Sequence, residues 1–166
     1  MPRFSRRRSF LDRERKTACH REKTADVLAK LLADEFVLYT KTLGAHWNLK
    51  GHDFNTKHLF FEEHYNSIKK TIDSVAERIR KIGSYAPATL EQFLELTHLT
   101  EKTKTGNTSQ EYIKTLLGDH DAIIKFIRGN ISQVEEVYDD VCTADFLTGL
   151  LQEHEERSWM LRASIA

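Results

Sequence analysis

Hydrophobic residues recur at helical spacing over four long stretches of the chain. The first stretch begins at Thr24, a candidate N-cap residue, and continues until Gly51 interrupts it. The second, residues 56–82, contains neither glycine nor proline, and its apolar positions alternate steps of four and three: Phe61, Tyr65, Ile68, Ile72, Val75, Ile79 and Ile82. Such a heptad-like seam is typical of a helix that packs along another helix.

The second half of the chain repeats this pattern. A third long helix is predicted over residues 108–137, and a fourth begins near Thr143, a candidate cap. Between helices two and three, a segment that contains Pro87 precedes a short helix of about two turns over residues 89–99. The sequence therefore predicts an all-α fold, an antiparallel four-helix bundle with a short extra helix between helices two and three.

Length and composition fit one domain. The chain has 166 residues, and no apolar run approaches the ~18 residues of a membrane-spanning helix, so no membrane association is expected. The two cysteines, Cys19 and Cys142, have no metal-binding spacing. No secretory segment is recognised near the N-terminus, and we interpret the cysteines as reduced thiols in a cytosol.

Positive charge is concentrated at the N-terminus. Residues 1–23 contain nine Lys/Arg and three acidic residues, 9 − 3 = +6, which leaves 16 − 22 = −6 for the remainder. We predict a flexible basic arm over residues 1–23 and a bundle domain over residues 24–166. Such an arm can bind DNA phosphates, most densely at Arg6, Arg7 and Arg8. The alternatives are a solvated extension, or extra residues upstream of the true start.

The stretch "GAHWNLKGHDFNTKHLFFEE", residues 44–63, places two histidines on either side of a turn. His46 and His58 are each six residues from His52, near the centre of this turn. An antiparallel hairpin would bring them level, so they could share one ligand.

Helix two carries four candidate metal ligands on one stripe: His58, Glu62, Asp73 and Glu77. Glu62 and Asp73 are eleven residues apart, or about 16 Å along a helix at about 1.5 Å per residue. One ion therefore cannot contact both within one chain. A solvated charged face beside the core seam is the simpler alternative.

A second copy of the chain could complete the site. If two copies of helix two pack antiparallel about a two-fold axis near Asn66 and Ser67, Glu62 of one copy comes level with Asp73 of the other, and His58 with Glu77. Each site would then combine five residues from two chains: His46, His58, Glu62, and the other copy's Asp73 and Glu77. Imidazole and carboxylate ligands suit iron or manganese, and zinc stays open.

Two further interpretations concern the remaining residues. An intrachain di-iron centre needs Glu-x-x-His motifs on two core helices, whereas the chain has this motif at Glu95–His98, in the short connecting helix. Four further histidines are interpreted as ordinary surface or loop residues: His52, His64, His120 and His154.

Several motifs together resemble the Dps family of mini-ferritins. They are "HWNLKG", the twelve-residue step from His46 to His58, "FEE" after it, the Asp73-to-Arg78 segment and the ending "TADFLTGLLQEHEERSWMLRA". The resemblance implies a homododecameric, hollow shell of ferritin-like subunits that oxidises Fe(II), preferably with hydrogen peroxide, stores ferric mineral and protects DNA in the bacterial cytoplasm or nucleoid. A DNA-compacting shell with little ferroxidase activity is the alternative.

The resemblance also implies residue roles. His46, His58 and Glu62 match the iron ligands of one subunit, and Asp73 and Glu77 match those of its partner. Glu62 replaces the aspartate that is usual in the family, which lengthens the side chain by one methylene. Trp47 resembles a tryptophan near the iron that absorbs oxidising equivalents; its alternative is a core aromatic.

Acidic residues near the last helix resemble the family's three-fold pore for iron. Asp140 and Asp145 are the main candidates, and Asp139 is a weaker one. Three copies of such carboxylates would concentrate a divalent cation. The alternatives are a helix N-terminal charge for Asp145 and a solvated loop for Asp139 and Asp140.

Overall fold

The computed structural model describes residues 3–101 and 106–165, with side chains described from residue 17 onward. This part of the chain forms five α-helices and one π-helical segment. The helices are α1 (Arg3–Asn48), α2 (Phe54–Lys81), α3 (Leu90–Leu96), α4 (Ser109–Ser132) and α5 (Val141–Ala163), and the π-helical segment, Gln133–Val137, directly follows α4. The predicted all-α bundle with a short helix between α2 and α4 is confirmed.

Helix α1 begins at Arg3, so the predicted start at Thr24 is wrong. Thr24 is fully buried inside the helix, and its hydroxyl has no hydrogen-bond partner among the described residues. The basic segment therefore continues the backbone of α1. The division into a DNA-binding arm and a bundle domain stays a prediction, because the side chains of Arg6, Arg7 and Arg8 lie outside the described residues.

The long helices pack as two hairpins around one core. Helix α1 packs against α2, α4 packs against α5, and α1 also contacts α3 and α4. The α3 contact includes stacked rings of Phe36 and Phe93, whose centroids are 4.3 Å apart. The largest fully buried side chains come from all four long helices: Leu28, Leu31, Leu32, Leu38, Phe61, Ile68, Ile79, Ile113, Leu116, Ile123, Ile127 and Leu147.

Side-chain caps set the starts of the later helices. Thr89 and Gln92 form a capping box at α3, and Thr108 and Glu111 form another at α4. The predicted cap of the last helix, Thr143, is wrong. Asp140 occupies the N-cap of α5, where its carboxylate accepts hydrogen bonds from the backbone N–H of Thr143 at 3.0 Å and from its hydroxyl at 2.6 Å.

The turn between α1 and α2 is tied to the start of α4. Gly51 has φ 143°, a value that favours glycine. The backbone N–H of Lys50 donates to the carbonyl of Asn107 at 2.7 Å, and a hydrogen bond from Ser109 lowers the pKa of Asp53 below its ordinary value. These contacts fix the hairpin that carries the two candidate histidines.

None of the helices in the described ranges combines the length and the apolar composition that a bilayer span requires. Cys19 and Cys142 are both exposed free thiols.

Candidate metal centre

His46 on α1 and His58 on α2 lie face to face beside the hairpin turn. Their ring centroids are 3.7 Å apart and the planes differ by 19°. His46 Nδ1–H donates to the carbonyl of His58 at 2.9 Å, and His58 Nδ1–H donates to the carbonyl of His46 at the same distance. The predicted level placement of the two histidines is therefore correct.

These reciprocal hydrogen bonds define the proton on each ring. A backbone carbonyl oxygen can only accept, so each Nδ1 must carry a hydrogen atom. In a neutral imidazole the other nitrogen, Nε2, then has a free lone pair. Histidines that bind metals commonly have this arrangement, in which one nitrogen is held by a backbone carbonyl and the other binds the ion. The His46 and His58 rings are thus oriented for metal binding, and the neutral form of each ring has the tautomer that metal binding requires.

Aromatic neighbours hold the two rings in place. The Phe54 ring stacks on His58 with a centroid distance of 5.1 Å. The Tyr65 ring contacts His46 edge to face at 5.2 Å. His46 is buried and His58 is half-buried. Packing from both sides lowers the entropy that the rings would lose on binding an ion.

The three predicted carboxylate ligands are not gathered around this pair in one chain. Glu62 is half-buried one turn after His58, whereas Asp73 and Glu77 are exposed further along α2. Glu77 forms an ion pair with Lys81 at 3.0 Å. Among the described side chains, residues 17–101 and 106–165, no three His, Cys, Asp or Glu form a group suited to a metal ion. The assignment of these carboxylates to a shared site stays a prediction.

Trp47 lies next to His46 in sequence but points away from the core. Its side chain is 67% exposed. The alternative interpretation as a core aromatic is therefore wrong, and its role near iron stays a prediction.

The acidic residues of the predicted pore lie at the corner between α4 and α5. The Asp140 carboxylate caps α5 and also pairs with Arg78 at 3.2 Å, so the alternative of a solvated loop residue does not describe it. Asp139 is exposed with φ 57°, and Asp145 is exposed just after the first turn of α5, which itself contains no acidic residue. Asp145 and Asp139 present free carboxylates to solvent. The pore role of all three stays a prediction.

Three histidines that we interpreted as surface residues are buried, and that interpretation is wrong. His64 on α2, His120 on α4 and His154 on α5 are all less than one-tenth exposed. His120 and His154 join Glu35 of α1 in a hydrogen-bonded chain at the centre of the bundle. His52 is exposed, as expected.

A signal for this buried chain was present in the sequence. His120 lies in the series 116, 120, 123 and 127, which has the four-and-three spacing of the buried face of α4. His154 occupies the equivalent place in the series 147, 150, 154, 158 and 161 of α5. The spacing of the neighbours predicts burial, although the residue type suggests exposure.

Comparisons with known proteins agree with this architecture. Residues 25–166 match the ferritin-like domain family. The chain is 37% identical over 145 residues to a low temperature-induced protein of Nostoc sp., covering 87% of this chain and 81% of that protein. It is 36% identical over 138 residues to DNA protection during starvation protein 2 of Bacillus anthracis, and the match covers 83% of this chain and 93% of that protein.

A solved structure gives the same result at the level of the fold. The Dps protein from Vibrio cholerae O1, described as a member of a broad superfamily of ferritin-like diiron-carboxylate proteins, superposes with a TM-score of 0.84. The two sequences are 26% identical, and the match covers 89% of this chain and 92% of that one.

Proposed function

Because the chain belongs to the Dps family of ferritin-like proteins, we propose that it oxidises Fe(II) and stores the ferric product inside a shell of identical subunits. The observation that carries this proposal is the pair of His46 and His58. Both rings have Nδ1 bound to a backbone carbonyl and Nε2 free. Iron is the substrate of this reaction, and the paired rings supply two nitrogen ligands for it.

The carboxylates of the site come from two subunits in this proposal. Glu62 belongs to the same half-site as the histidines, whereas Asp73 and Glu77 are about three and about four helical turns beyond Glu62 along α2. An isologous contact of α2 around Asn66 and Ser67 would bring the partner's copies of both carboxylates to the histidines. The proposed assembly is a homododecamer with these sites at its two-fold interfaces.

Hydrogen peroxide is the proposed preferred oxidant. Two Fe(II) ions each give one electron, the O–O bond breaks, and two hydroxide ions form together with two Fe(III) ions. Both electrons enter one peroxide molecule, so no hydroxyl radical is released. The carboxylates favour the more highly charged ferric product, because oxygen anions stabilise hard cations. The proposed consequence is protection of DNA in the cytoplasm or nucleoid from radical damage.

The experiment is stopped-flow oxidation of Fe(II) by peroxide, followed by ferric absorbance. We expect the double variant His46→Ala/His58→Ala to oxidise Fe(II) no faster than buffer while it still forms the shell. His52→Ala is the matched control, because it removes an exposed imidazole from the same hairpin turn and should keep the unsubstituted rate. Equal rates for the double variant and the unsubstituted protein would refute the site.

Direct DNA binding is a second proposed function. It is supported by the net charge of +6 on residues 1–23, 9 − 3, and by the name of the Bacillus anthracis relative. Twelve weak basic segments on one shell would bind DNA by avidity. Deletion of residues 1–21 should abolish a gel shift at low salt and leave Fe(II) oxidation unchanged. An unaltered gel shift would show that Arg6, Arg7 and Arg8 are not needed for DNA binding.

A further inference from the structure

A chain of hydrogen bonds crosses the centre of the bundle. Glu35 Oε1 lies 2.6 Å from His154 Nε2, and His154 Nδ1 lies 2.9 Å from His120 Nδ1. The chain joins α1, α5 and α4. Glu35 and His154 are 0% exposed and His120 is 1% exposed. Solvent therefore does not stabilise any charge on these side chains.

The charge on Glu35 requires a partner within the cluster. Its second oxygen, Oε2, is buried and accepts no hydrogen bond from the described residues. An isolated carboxylate at such a site would cost several kcal/mol. Arg157, a cation that acts on His120, is bonded through Nη2 to Ser67 and Glu153, and Lys41 is paired with Asp119. His154 is the group in contact with Glu35, and an imidazolium there would balance the carboxylate.

The contact between the two histidines limits the number of protons. A hydrogen bond from one Nδ1 to the other needs one donor and one bare acceptor. If His154 is the imidazolium, it donates through Nε2 to Glu35 and through Nδ1 to His120. His120 must then be neutral with a bare Nδ1. A second proton would occupy that acceptor and place two cations against one carboxylate.

We propose that Glu35, His154 and His120 form a buried proton-binding site, which holds one proton at neutral pH and loosens the bundle when acid adds a second. The first proton lies between Glu35 and His154. The second lies on His120 Nδ1 and breaks the link between α4 and α5. The chain thus acts as an acid-sensitive lock on three helices.

The groups that face His120 all oppose a positive charge there. His154 and Arg157 approach from α5, and His64 approaches from α2 with a ring-centroid distance of 6.5 Å. Burial, followed by electrostatic interactions with His154, His64 and Arg157, lowers the pKa of His120 well below its ordinary value. Two acids adjoin His120 on α4: Asp119 is paired with Lys41 of α1, and Asp121 is bonded to Ser158 and Arg162 of α5. Binding of the second proton to His120 is therefore expected to loosen the packing of α4 against α5.

The held proton can be counted by calorimetry. Unfolding enthalpies of the shell at pH 7.5, measured in phosphate and in Tris, give the number of protons released per chain. A free carboxylate and a free imidazole hold almost no proton at this pH. We expect the unsubstituted chain to release about one proton more than Glu35→Gln. Equal release by both proteins would overturn the proposal.

The acid response is tested with a different variant, so this test does not depend on whether Glu35→Gln folds. His120→Gln retains an oxygen that accepts from His154 Nδ1–H but cannot be protonated. We expect amide-exchange protection in α4 and α5 to fall about tenfold more per pH unit below pH 6.5 in the unsubstituted shell than in His120→Gln. A smaller fall remains in His120→Gln because the buried His64 also favours the unfolded state in acid, and the proton release of this variant at pH 7.5 should stay unchanged. A fall of equal size in both proteins would overturn the lock.

His98→Gln is the matched control for both measurements. His98 also pairs with a buried carboxylate of α1, Asp34, at 3.0 Å, but 45% of the His98 side chain is exposed. Water can stabilise its charge in either state. This variant should behave as the unsubstituted chain in both assays. A loss of proton release or of the acid response in His98→Gln would show that the His98–Asp34 pair produces the effect, and not the cluster of Glu35, His154 and His120.

Discussion

Replacement of His64 by glutamine should make the protein more resistant to acid. His64 lies on α2, is 5% exposed, and packs against the ring of Phe60 with a centroid distance of 4.3 Å. Its Nε2 has no hydrogen-bond partner among the described residues. Burial, followed by the positive charges of Arg157 and Lys57, lowers the pKa of His64 to about 4. The folded protein thus keeps this imidazole neutral.

The size of the effect follows from the two pKa values. An unfolded chain binds a proton at His64 near pH 6.5, whereas the folded chain does so near pH 4. Between these values the unfolded state holds more protons, so the free energy of unfolding falls as the pH falls. At about 1.36 kcal/mol per pH unit, the interval of 6.5 − 4 corresponds to a loss of about 3.4 kcal/mol per chain. Above pH 6.5 the group contributes no pH dependence.

Urea unfolding of the metal-free protein measures this loss. The unsubstituted protein and His64→Gln should be compared at one protein concentration, because subunit association makes stability concentration-dependent. The difference between their free energies of unfolding should shift in favour of the variant by about 2 kcal/mol from pH 6.5 to pH 5, since that interval is 1.5 pH units. Parallel pH profiles of the two proteins would refute the reasoning.

Substitutions at three other positions test separate parts of the structure. Lys41→Met should lower the free energy of unfolding by about 3 kcal/mol in urea titrations, because it leaves Asp119 buried without its cation. Asp140→Ala should cost about 1–2 kcal/mol in the same assay, since α5 loses its cap and Arg78 its partner; an unchanged midpoint would contradict the capping role. Glu62→Asp should retain Fe(II) oxidation in stopped-flow experiments, whereas Glu62→Ala should slow it at least tenfold, and equal rates would exclude Glu62 as a ligand.

Much of the fold follows from the sequence because apolar spacing determines which face of a helix is buried. The seam of α2 and the level placement of His46 and His58 required only helical periodicity and the position of a turn. Thr24 failed as a predicted start because its hydroxyl suits an N-cap, whereas the helix continues on both sides of it. Thr143 failed because Asp140, three residues earlier, caps α5 with a carboxylate that also pairs with Arg78.

The buried polar residues were predicted less well than the helices. His64, His120 and His154 were assigned to the surface from their residue type, although their neighbours at helical spacing are buried. Only the fold brings Glu35 of α1 to His154 of α5, because 119 residues separate them. The proposed two-subunit iron site cannot be seen in the fold of one chain, because its second half, Asp73 and Glu77, would bind iron together with the histidines of another copy.

The π-helical segment at the end of α4 gives the corner before α5 a tolerance for changes in length. Tyr138 N–H donates to the carbonyl of Gln133, and Asp140 N–H donates to that of Val134, so both bonds span more residues than an α-helical bond. A π turn that lost one residue could close as an ordinary α turn. A residue could then be gained or lost at this corner while Ile127 stayed in the core and Asp140 still capped α5. The length of the corner can therefore change without a shift in the register of either helix.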